Sequence, residues 1–85
     1  MPDPSPPELE LTSDLLDYAR KEGIEIAKGF RNPRIDPEDA AQHALLHLIA
    51  KPPRWDPARG ASPKTLIHTI VQWAVIKFVE REARD

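Results

Sequence analysis

The sequence predicts an all-α fold, a small three-helix bundle behind a disordered, proline-rich N-terminal lead. Three observations predict it. Apolar residues recur at steps of three and four along most of the chain, and no alternating period supports a strand. Ser or Asp followed by Pro marks two sharp helix starts, Asp36-Pro37 and Ser62-Pro63. The links between the periodic stretches are short, as bundles prefer.

The first eight residues hold four of the ten prolines and no periodicity, so residues 1–11 read as a flexible lead and 12–85 as the domain. The first helix starts at Thr12 or Ser13, whose hydroxyl can cap the free amides of the first turn for about 1 kcal/mol. Asp14 and Asp17 then sit near the positive end of the helix dipole. Leu16, Ala19, Gly23, Ile26, Ala27 and Phe30 form one stripe expected to be buried. Gly23 costs about 1 kcal/mol in mid-helix relative to alanine, which suggests a close helix crossing.

The second helix is capped by Asp36, with Pro37 at its first position and Asp39 three residues after the cap. Its expected inner stripe is Ala41, Ala44, Leu45, Leu48 and Ile49, and Pro52-Pro53 stops it. A loop over 54–61 follows, stiffened by Pro57 and turned at Gly60. The third helix, capped by Ser62, runs to about Ala83 with Leu66, Ile67, Ile70, Val71, Ala74, Val75, Phe78 and Val79 inside.

Eighty-five residues make at most one domain with a modest core. There is no cysteine, so no disulfide framework and no thiolate metal site, in keeping with a cytoplasmic protein. No run approaches the roughly 20 apolar residues of a membrane helix. The net charge of −2 conceals an asymmetry: residues 1–39 carry ten acids against five bases, and residues 40–85 four acids against seven bases. The second half can meet phosphate; the first would repel it.

Three groups of residues carry candidate chemistry. With the second helix packed on its inner stripe, Asp39, Gln42, His43 and Leu46 share the other side. An apolar centre with a polar rim fits a docking patch, and a helix end with solvated side chains fits as well. Trp55 between Arg54 and Arg59 can stack an unpaired base while the guanidinium groups hold phosphate. Alternatively it plugs the end of the bundle, the reading the residues alone favour. Lys64, His68 and Gln72 step by four along the third helix, with Lys77 beyond and Trp73 nearby, and their shared face could follow a DNA backbone or simply be solvated. His43 and His47 have a spacing that can chelate a metal, yet no third ligand is obvious, so no metal and no cofactor is expected. No nucleophile–base–acid set, paired carboxylates or glycine-rich phosphate loop stands out; the expectation is binding without catalysis.

The ordered set Asp36, Glu38, Asp39 and Gln42, then Leu45, Leu46 and Leu48, then Trp55, Asp56, Pro57, Arg59 and Gly60, with the pair Thr69-Ile70, resembles region two of bacterial sigma factors, nearest the extracytoplasmic-function branch. The likeness spans about residues 15–84. It implies a transcription initiation module whose partners are the RNA polymerase core and promoter DNA, with an anti-sigma protein as a possible third. The second helix would dock on the clamp helices of the beta-prime subunit through Asp39, Gln42, His43 and Leu46. The loop over 54–62 would receive a base flipped from the non-template strand of the minus-ten element, and the last helix would face the opening duplex. DNA contact would then involve Arg54, Trp55, Arg59, Lys64, His68, Gln72 and Lys77. His43 stands where the family usually has glutamate, and Leu66, Gln72 and Ala74 stand where it has aromatic or basic residues. No match to a second domain for the minus-thirty-five element follows, so the chain is either a fragment of a larger factor or a stand-alone relative. A sigma-like adaptor or decoy, acting through protein contact without DNA, is the competing expectation.

Overall fold

The computed structural model describes residues 7–56, 58, 60 and 62–83. Three helices account for most of them: α1 (Ser13–Gly29), α2 (Pro37–Ala50) and α3 (Pro63–Ala83). No strand occurs among the described residues, and none of their helices is long and apolar enough to cross a membrane.

Each helix begins on the side chain its sequence supplies. Thr12 Oγ1 accepts the Leu15 N–H at 3.2 Å, Asp36 Oδ1 accepts the Glu38 N–H at 2.9 Å, and Ser62 Oγ accepts the Thr65 N–H at 3.1 Å. Pro37 and Pro63 occupy first helical positions, where a missing N–H removes nothing the helix uses. At the end of α1 the chain leaves through Arg31, which takes a left-handed φ of 52°.

All three helices touch one another. Ring contacts pair His43 with Phe78 and His47 with Trp73, so α2 and α3 run antiparallel. Lys64 over Tyr18 and His68 beside Glu22 show α1 and α3 running in the same sense, as the first and third helices of an up-down-up bundle do.

The centre of the core is Leu48, Ile67, Val71 and Val75, with Ala19, Ala40, Ala44 and Ala74 between them. Two residues expected inside lie outside: Phe30 is 43% exposed and Ile49 is 53% exposed. Phe30 falls past the last turn of α1, where the stripe no longer faces a neighbour. Ile49 gives way because α2 turns a face of Ala40, Ala41, Ala44 and Leu48 inward, and Ala40, left out of the expected stripe, is fully buried. Small residues there let the helices approach closely, which displaces the bulkier isoleucine to the outer side.

Of the lead expected over 1–11, residues 1–6 lie outside the described residues. From Pro7 the chain is held. Glu8 forms an antiparallel bridge with Arg54, Leu9 N–H donates to Pro53 C=O at 2.8 Å, and Trp55 N–H donates to Pro7 C=O at 3.1 Å. Leu9 itself is buried with the core.

Candidate docking groove and nucleic-acid surface

The outer side of α2 and the C-terminal half of α3 enclose an open groove of about 410 Å³. Asp39, Gln42, His43 and Leu46 line it together, as their three- and four-residue spacing requires on a helix packed through Ala40, Ala44 and Leu48. Arg34 and Asp36 join from the turn before α2, and Phe78 and Glu82 from α3. Asp39 and Gln42 are exposed, His43 is half-buried against the Phe78 ring at a centroid distance of 5.2 Å, and Leu46 is 58% exposed. The result is an apolar floor of Leu46 and Phe78 within a rim of three carboxylates and one guanidinium. Such a rim favours a cationic partner, and such a floor favours one that also brings an apolar side chain. Phe78, Arg34 and Glu82 were not among the sequence candidates. The sum of residue numbers across an antiparallel helix pair, 39 with 82 and 43 with 78, is the signal that places Phe78 and Glu82 there; Arg34, in the turn before α2, has no such signal.

One turn further along α2, His47 meets the Trp73 ring at 5.3 Å. The two histidines spaced for chelation therefore each face an aromatic ring of α3. No group of three or more His, Cys, Asp or Glu residues among the described residues is arranged to hold a metal.

The second candidate surface is the loop after α2. Asp56 Oδ1 accepts the Ala58 N–H at 2.9 Å, which folds the loop into a tight turn, and Gly60 takes a φ of 81° that favours glycine. Trp55 is half-buried and packs on the core cluster, while Arg54 is exposed. Arg59 and Pro57 lie outside the described residues.

The Lys64, His68 and Gln72 row divides. Lys64 Nζ lies 5.3 Å over the Tyr18 ring, and His68 Nδ1 lies 3.3 Å from Glu22 Oε2, so both lean toward α1 at the edge of the outer surface. Lys64 and Gln72 are exposed and His68 between them is half-buried. Lys77 is exposed and sits 3.6 Å from Glu80, and Trp73 is 51% exposed. At the α1 seam, partial burial pushes the Tyr18 phenol above its ordinary 10.0, and the Glu22 carboxylate beside it adds to the rise.

Comparison with known proteins gives one finding. The family model for sigma-70 region 2 matches residues 15–85. No curated protein and no solved structure matches the chain.

Proposed function

This chain belongs to the sigma-70 region 2 family, and from that premise we propose that it is a transcription initiation module which docks on the beta-prime clamp helices of RNA polymerase and contributes to recognition and melting of the minus-ten element, in the cytoplasm. The observation that carries the docking half is the groove itself: Asp39, Gln42, His43 and Leu46 stand together, accessible, on the helix whose motif assigns that contact. A clamp surface bearing arginine or lysine around an apolar residue meets both its rim and its floor.

The nucleic-acid half rests on the loop. Arg54 and Arg59 flank Trp55 in sequence, and Gln72 and Lys77 are exposed further along α3. Trp55, packed on the core, serves as the fixed wall of a base pocket rather than as a free platform. Lys64 and His68 stand at the margin of this surface, engaged with α1. Burying a flipped base costs a few kcal/mol of unstacking, and a net charge of −2 supplies little attraction, so DNA contact depends on the polymerase. Nothing in this role calls for catalysis or a cofactor, and an anti-sigma protein would compete for the same surfaces.

A titration of single-stranded minus-ten DNA with polymerase core present tests the reading. Affinity that falls steeply with salt and drops on Arg59→Ala supports it. Affinity indifferent to both favours the second reading, a decoy that docks without DNA, which the exposed Glu8 and Glu10 beside the loop favour.

A further inference from the structure

The contact between the lead and the loop has no part in the docking groove. Its chemistry is specific. Pro52 and Pro53 have no N–H, so the start of the loop offers acceptors but few donors. The same holds for Pro6 and Pro7. The two stretches meet where the remaining groups match: Leu9 N–H to Pro53 C=O at 2.8 Å and Trp55 N–H to Pro7 C=O at 3.1 Å. Between these bonds Glu8 stands directly opposite Arg54. Extended backbone sends alternate side chains to opposite faces, so Leu9 goes inward, 7% exposed, and Glu8 and Glu10 go outward into solvent.

A segment fastened by one buried leucine and two backbone bonds, entered through prolines, is a unit that opens without unfolding the helices behind it. We propose that residues 7–10 form a releasable strap that covers the backbone edge of the loop at residues 53–55, with Glu8 holding beside Arg54 the place of a phosphate. An extended anionic ligand, a nucleic-acid strand on the reading above, has to lift this strap to reach the loop. The inference rests on that reading of the loop as a nucleic-acid surface.

The test uses the full chain and a fluorescent oligothymidylate as probe at low salt. Glu8→Gln with Glu10→Gln removes the strap's charge and leaves Leu9 and both backbone bonds in place. This variant is expected to bind the probe about threefold tighter or more, with the difference shrinking as salt is added. Equal or weaker binding overturns the strap's gating while leaving the loop reading intact. Absence of binding by either form, with and without polymerase core, overturns the loop reading and the gating with it. Amide exchange provides an arm that needs no ligand. Leu9 and Trp55 should exchange together, faster than Ala44 and Val71 in the helices and slower than unprotected amides. Exchange of both in step with the helices would show that the strap opens only on unfolding, and exchange at the unprotected rate would show that it never closes.

Discussion

Gly23 and Ala41 meet where α1 crosses α2: a Cβ placed on Gly23 would lie 3.0 Å from Ala41 Cα and 3.1 Å from its Cβ. The obstacle is partly backbone, so relief requires the two helices to separate. Gly23→Ala should therefore lower stability by about 1–3 kcal/mol in spite of its better helix propensity. A urea midpoint that rises would show that the crossing has room to give.

Arg31 is the reverse case. Its φ of 52° is a conformation that costs a side-chain-bearing residue roughly 1 kcal/mol. Arg31→Gly should raise the unfolding free energy by about 0.5–1 kcal/mol, read from denaturant curves. A loss would mean that the Arg31 side chain contributes more than its backbone costs.

Tyr18 is the chain's single tyrosine, so its ionisation can be followed by ultraviolet absorbance. Burial and Glu22 raise it in the folded state. A raised pKa means the folded protein binds the proton more tightly than the unfolded chain. The associated stability is complete below about 10, the unfolded value, and is lost as pH climbs through the folded one. Glu22→Gln should move the titration back toward 10.0, and an unchanged curve would remove Glu22 as a cause.

The helix starts were legible because caps are local: Thr12, Asp36 with Pro37, and Ser62 with Pro63 each act within three residues. The shared face of Asp39, Gln42, His43 and Leu46 was legible for a related reason, since helical spacing alone places it. What the sequence left unread depends on neighbours distant along the chain. Ile49 outranks Ala40 in apolarity, yet the close approach of α1 and α3 to α2 admits the alanine and expels the isoleucine. Lys64 and His68 look outward until α1 brings Tyr18 and Glu22 to them. The pairing of residue 8 with residue 54 leaves no periodic trace at all.

Asp36→Ala separates the cap from the groove. It should cost about 1 kcal/mol of stability through the lost bond to the Glu38 N–H. Because Asp36 also lines the groove, the same variant should weaken a cationic partner. Stability unchanged within error in thermal melts would show that water replaces the cap.

The docking claim is tested most directly by calorimetric titration of the folded chain with an isolated beta-prime clamp-helix fragment, wild type against Asp39→Arg with Gln42→Ala and against Leu46→Ala. The account predicts measurable binding by the wild type, a loss of tenfold or more (about 1.4 kcal/mol or more) in either variant, and unchanged binding in Lys28→Ala, which lies outside the groove. Wild-type affinity retained in both groove variants, or no binding by the wild type, would contradict it.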